Sequence, residues 1–280
     1  MYNKVKTDYI KEYNTEPLDV SFLNSVLKYT AINCPFSTFG YIKGYNSPQC
    51  LDKTTGGNCV ALSLFIKRLL SEHNIISFLI PASVPKMFAH PDYLTISHVA
   101  LCIPFREYAY VLDPAFYFME PMILDLTDAE SVKSMNSFNI YSNVITPMNY
   151  QLKINNKKLR LNEYQTLPKD IFFVETRFVS DPSDIWHYYL VEVLNPDQAI
   201  SSFYMSIKYL PFITALNSDY SIKHLVKFLD ENTIIVKENG EKIYEGEPRK
   251  ISLNLLQKLL PYKLDYSLPR NIKYVDFDII

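Results

Sequence analysis

The sequence predicts an α+β protein: helices first, then a strand-rich middle, then a third region that mixes both. Three observations predict it. Apolar residues recur at helical spacing up to about residue 77; short runs rich in Ile, Val, Tyr and Phe, separated by Pro, Asp and Asn, follow to about residue 189; helix-like and hairpin-like segments share the remainder. With 280 residues, 48% of them hydrophobic, the chain can bury a sizeable core as one large domain or two to three smaller ones.

In the first region, "LDVSFLNSVLKYT" places Phe22, Leu23, Val26, Leu27 and Tyr29 near one face of a helix, with Asp19 or Ser21 as its cap. A second helix follows "TTGGNC": with Asn58 as cap and Cys59 as its first residue, Cys59, Leu62, Ile66, Leu69 and Leu70 form one buried side. The middle runs "ISFLI", "SHVALCI", "EYAYVLD", "DIFFVETRFV" and "IWHYYLVEVL" read as strands of a partly closed antiparallel barrel. In the third region "DQAISSFYMSIKYL" and "SLNLLQKLLPYKL" read as helices, and "TIIVKENGEKIYEG" as a hairpin turning at Asn239 and Gly240. The three regions are set at residues 1–77, 78–194 and 195–280.

Charge and cysteine usage exclude several function classes. Twenty-eight basic side chains balance 30 acidic ones, with no basic cluster to follow a phosphate backbone, so nucleic acid is not an expected partner. The 22 tyrosines are read as core and barrel filling, since they lack the basic interleaving of a base-stacking surface. No apolar run approaches the ~18 residues that span a bilayer, and the polar N-terminus lacks a signal-peptide core. A soluble, cytoplasmic protein that does not engage membranes is expected. Cys34, Cys50, Cys59 and Cys102 show neither metal-site spacing nor a disulfide framework, so no metal is expected and a thiol stays available for chemistry.

The chain holds six glycines, and two of them, Gly56 and Gly57, stand together just before Cys59. They permit a tight entry into the helix and close approach of a substrate carbonyl to the backbone. At the helix start, free N–H groups and the positive end of the dipole favour a thiolate. A free cysteine is by default a core residue; this position makes Cys59 a candidate nucleophile.

A nucleophilic thiolate needs a base, and the base needs an orienting group. Of five histidines, His98 lies inside an apparent strand, on the side of Ala100 and Cys102, as the polar exception there. A loop of Pro104 to Glu107 would pair Ile103 with Tyr108, so that opposed residue numbers sum to 211 and His98 stands directly across from Asp113. The expected constellation is Cys59, His98 and Asp113.

"GGNC" with His98 and Asp113 following resembles the arylamine N-acetyltransferases, a branch of the transglutaminase-like cysteine enzymes. "CPFSTFGYI" is similar to that family's "PFEN" segment, "VLDPAF" falls on its "VDVGFG", and "YYLVEVLNPDQAISSFYMSIKYLPF" resembles the stretch leading into its third domain. The resemblance covers most of the chain and is weakest over residues 118–170. It implies a helical bundle carrying the cysteine, an antiparallel β-barrel carrying His and Asp, and a C-terminal α/β lid on a cysteine-proteinase-like core. It also implies a ping-pong acyltransferase, which takes an acetyl or other short acyl group from acetyl-CoA as a Cys59 thioester and passes it to an arylamine, hydroxylamine or other amine. By position, Phe36 and Phe116 match phenylalanines lining the acceptor pocket, and Ser206 a cofactor-contacting serine.

The departures are specific. Thr55 stands where the family has arginine, Ser37 where it has glutamate, and Pro114 and Ala115 replace the flexible segment beside which the family places the cofactor's phosphates. No other glycine loop is present to cradle a pyrophosphate. "LDPAF" also resembles the "DPT/SW" after the transglutaminase aspartate. Two alternatives therefore stay open: a thiol enzyme acting on a glutamine or peptide amide, and a catalytically silent binding protein of the same fold.

Overall fold

The structure, a computed structural model, describes residues 14–16, 18–37, 57–83, 98–106, 108–125, 132–139, 144–155, 159–162, 165–167, 171–178, 185–190, 212–230, 232–252 and 255. Helix α1 (Val20–Asn33) starts where Asp19 accepts a hydrogen bond from the Ser21 amide at 2.9 Å. It buries Leu23, Val26, Leu27, Thr30 and Ala31. Tyr29, expected on that face, is 51% exposed and lies over the Phe65 ring at 6.4 Å. At 100° per residue it falls beside the stripe; Thr30 takes the buried place, its hydroxyl donating to the Val26 carbonyl at 2.8 Å.

Strand β1 (Phe36–Ser37) is short and precedes helix α2 (Cys59–Glu72). Asn58 caps α2 as the sequence predicts, its side-chain oxygen accepting from the Ala61 amide at 3.0 Å. Such a cap contributes about 1 kcal/mol. Cys59, Leu62, Ile66 and Leu70 are buried, and Leu69 is half-buried against the same core.

Antiparallel strands β2 (Phe78–Ala82), β3 (His98–Phe105), β4 (Tyr108–Leu112) and β5 (Met122–Asp125) follow, then β6 (Val132–Asn139), β7 (Val144–Asn155), β8 (Leu159–Asn162), β9 (Gln165–Leu167), β10 (Ile171–Phe178) and β11 (Ile185–Tyr189). Eight of them form one sheet in the order β5-β4-β3-β2-β11-β10-β7-β6, with β8 and β9 a separate pair. Period-two alternation divides β3 as the sequence predicts. Val99, Leu101, Ile103 and Phe105 join the core built with α1 and α2, while Ala100 and Cys102 join a second core with Phe78, Ile80, Phe118 and Met122.

A second sheet, ordered β1-β12-β13-β14-β15, combines β1 with β12 (Phe212–Leu216), β13 (Ile222–Phe228), β14 (Ile234–Glu238) and β15 (Glu241–Gly246). The β14–β15 hairpin turns at Asn239 and Gly240, with φ of 50° and 86°, the backbone of a two-residue primed turn. The expected helix "DQAISSFYMSIKYL" and nearly all of "SLNLLQKLLPYKL" lie outside the described residues, as do Cys50, Thr55, Gly56 and Ser206. No helix among the described residues is long and apolar enough to cross a membrane.

The β3–β4 register departs from the one the sequence predicts. The β3–β4 hairpin pairs Phe105 with Tyr108 and Ile103 with Tyr110, so opposed numbers sum to 213 and not 211. Pro104, expected in the loop, belongs to the strand. Its carbonyl accepts from both the backbone and the side-chain nitrogen of Asn14, at 3.1 and 2.8 Å, so its imino nitrogen faces the same way and β4 asks no N–H of it. Arg106 absorbs the tighter turn with φ of 48°. A shift of two keeps every side chain on its face.

Candidate active site

The site is assembled from four elements. Cys59 stands in the first turn of α2, 1% exposed. Helix geometry leaves the amides of Cys59 and Val60 without an intrahelical acceptor, so the helix start presents partial positive charge to the sulfur. Gly57, two residues earlier, is held by β1: its amide donates to the Pro35 carbonyl at 3.0 Å and its carbonyl accepts from the Ser37 amide at 2.9 Å.

His98 opens β3 and is 3% exposed. Its Nε2 lies 2.6 Å from Oδ2 of Asp113, a residue wholly buried. In the corrected register Asp113 continues β4 to stand opposite Ala100, two residues from His98 on the same face. The pair therefore meets diagonally, within reach of an imidazole. Asp113 also caps the 3-10 turn Pro114–Phe116, its Oδ1 accepting from the Ala115 amide at 3.2 Å. That turn fixes the carboxylate's orientation from the chain side.

The Cys59 thiol also acts on His98. The electrostatic balance at His98 carries both a charge interaction and a hydrogen bond with the Cys59 thiol. Burial is the largest single influence and opposes the charged ring, yet Asp113 and Cys59 together overcome it and hold His98 up to about 10. At neutral pH the ring is therefore held as an imidazolium. The structure thus brings Cys59, His98 and Asp113 together in one hydrogen-bonded chain.

A fourth residue was not singled out from the sequence. Tyr188, in β11 and fully buried, donates its hydroxyl to Oδ2 of Asp113 at 2.6 Å, the same oxygen that binds His98. Burial first, then the Asp113 charge and the hydrogen bond to it, raise Tyr188 well above the ordinary tyrosine range, so it remains a donor. The register explains the meeting: Ala82 of β2 pairs with His98 on one side and Tyr188 on the other. A row His98–Ala82–Tyr188 crosses three strands with a small residue in the middle, and Asp113 is bonded to both ends.

Phe116 is half-buried with its ring edge-on to His98, centroids 4.8 Å apart at 77°. Phe36 is half-buried and bridges to Gly57. Ser37, where the resemblance expects glutamate, is 5% exposed. Cys34 and Cys102 are buried thiols whose desolvation pushes them up to about 11 and about 12, which leaves them unreactive at neutral pH. No group of three or more His, Cys, Asp or Glu among the described residues could hold a metal ion.

No protein-family model matches the chain, and no curated protein matches it in sequence. Solved structures do match. The arylamine N-acetyltransferase of M. tuberculosis superposes with a TM-score of 0.55 at 15% identity, covering 94% of each chain. The NAT3 arylamine N-acetyltransferase of Bacillus cereus, described as having a Cys-His-Glu triad, gives 0.56 at 15% identity over 94% of this chain and 99% of that one. The Salmonella typhimurium arylamine N-acetyltransferase gives 0.53 at 13% identity over 88% and 87%. At this identity the likeness concerns the backbone, and it runs nearly end to end: the chain has the arylamine N-acetyltransferase fold.

Proposed function

We propose that the protein is an acyltransferase that carries a short acyl group on Cys59 and delivers it to an amine. The observation that carries the reading is His98 held between Asp113 at 2.6 Å and the Cys59 thiol at a helix start. The fold shared with three arylamine N-acetyltransferases supports it.

In the first half-reaction the Cys59 thiolate attacks the carbonyl carbon of an acyl thioester. A C–S bond forms to Cys59, the oxyanion faces the first-turn amides of α2, and the donor's C–S bond breaks as the leaving thiolate takes the proton from His98. In the second half, an amine attacks the Cys59 thioester. Neutral His98 removes the amine's proton, the amide C–N bond forms, and Cys59 leaves as thiolate, restoring the ion pair. Asp113 keeps Nε2 engaged throughout, and Tyr188 keeps Asp113 in place. Phe116, against His98, and Phe36, beside Gly57, are apolar walls suited to an aromatic or otherwise apolar acceptor.

Acetyl-CoA is the first donor to test. The turn after Asp113 does not fit its phosphates: Pro114, Ala115 and Phe116 are followed by Tyr117, Phe118 and Met119, all three buried and apolar in their packing. Recognition of the nucleotide would rest on other residues, Ser206 being the sequence's candidate. The same observation favours a second reading, in which the acyl group comes from a glutamine or peptide amide. Initial rates over a grid of donor and arylamine concentrations separate them: parallel double-reciprocal lines with acetyl-CoA, abolished by Cys59→Ser, support the first. Ammonia release from a glutamine peptide, with no acyl-CoA turnover, supports the second.

A further inference from the structure

We propose that Tyr117 is a positioning residue: it clasps the Asp113 turn to strand β12 and so fixes the distance between the carboxylate arm and the thiol arm of the site. The inference rests on the Cys59–His98–Asp113 reading above and adds a residue to it.

The contacts form a closed circuit. Cys59 follows Gly57 by two residues, Gly57 bridges to Phe36, and Phe36 pairs with Thr214 in β12. The Thr214 carbonyl accepts from the Tyr117 hydroxyl at 3.4 Å, and Tyr117 ends the 3-10 turn that Asp113 begins. From Asp113 the circuit returns through His98 to Cys59. Thr214 is thus the point where the two catalytic arms meet.

Tyr117 is unusual in what it tolerates. Its φ of 55° lies in the left-handed region, where a bulky side chain is strained by roughly 1–2 kcal/mol and persists only if its surroundings hold it. What holds it is packing: it is 4% exposed in a small core with Ala31 of α1, Met119 and Leu216 of β12, and Phe36, Tyr220 and Ile222 pack against that core. These residues come from both catalytic arms and from the second sheet. The hydrogen bond at 3.4 Å is long, so the packing is the larger part of the clasp.

The test compares Tyr117→Gly, which accepts the left-handed backbone but leaves the small core empty, with Tyr117→Phe, which keeps the ring and loses the hydroxyl. Tyr244→Phe is the control, its hydroxyl bonding the Glu247 carbonyl in an exposed part of the β15 end. The readouts are kcat for acyl transfer and the titration of the His98 ring by NMR, which responds to the placement of Asp113, Cys59 and Tyr188. Expected for Tyr117→Gly are a kcat about 10- to 100-fold lower and a His98 titration moved down toward the ordinary histidine value. Tyr117→Phe should show a smaller change of the same sign, and Tyr244→Phe neither. If Tyr117→Gly fails to fold, Tyr117→Asn, which also tolerates the left-handed backbone and takes the ring out of the small core, decides in its place: a His98 titration and kcat identical to wild type in either truncated variant overturn the clasp. A wild-type His98 that already titrates at the ordinary value would instead overturn the catalytic reading beneath it.

Discussion

At the scale of single residues, the site depends on one carboxylate doing three things. Asp113 accepts from His98 and Tyr188 through Oδ2 and caps its own turn through Oδ1. Asp113→Asn keeps the size and the cap but removes the charge that sustains the imidazolium. We expect near-native circular dichroism with kcat lowered on the order of 10²–10⁴-fold. Tyr188→Phe leaves that charge in place and removes one of its donors, so a smaller loss of kcat is expected, with the pH profile of kcat displaced relative to wild type. A flat difference across pH would mean that Tyr188 only fills space. Neither Cys34 nor Cys102 is in the hydrogen-bonded chain, and Cys34→Ser and Cys102→Ala should retain turnover within a few-fold.

At the scale of elements, what was legible in the sequence was local and what was missed was not. Asn58 and Asp19 announce their helices because a cap is a short-range bond, and His98 could be placed on its face of β3 because alternation is a property of a single strand. The hairpin register was missed by two because Pro104 reads as a breaker. It lies in the strand since Asn14, 90 residues away in sequence, meets the side that would have needed its N–H. Tyr188 was missed because its partner is 75 residues distant and β11 reaches β2 through no local pattern. The signal available was the small pair Ala82 and Ala100, which leave room beside His98 on that face. Ala82→Leu should therefore disrupt activity far more than a conservative core change. It pushes between His98 and Tyr188, and overpacking of this kind costs about 1–3 kcal/mol. Chemical denaturation and kcat measured together check it, with kcat expected to fall in protein that is still folded.

At the scale of the whole molecule, the buried ion pair couples the site to stability. His98 holds its proton up to about 10 in the folded protein, against an ordinary value near ~6.5 when unfolded. The folded state therefore binds that proton more tightly. Its contribution is fully present below about pH 6.5 and is lost progressively as pH rises toward 10. Urea unfolding across this window should show falling stability in the wild type and a shallower fall in His98→Gln. An equal slope in both would place the dependence elsewhere.

Among the described residues, α2, β3, the Asp113 turn and β11 converge on one thiol, and the chemistry turns on what that thiol carries. The direct measurement is the intact mass of the purified protein before and after mixing with acetyl-CoA and longer acyl-CoA donors, with Cys59→Ser in parallel. Acyl transfer through Cys59 predicts a gain of one acyl group that Cys59→Ser abolishes and that an added arylamine discharges. No adduct from any donor, while an alkylating reagent still labels Cys59 first among the cysteines, would contradict acyl transfer from CoA and move the chemistry to an amide substrate.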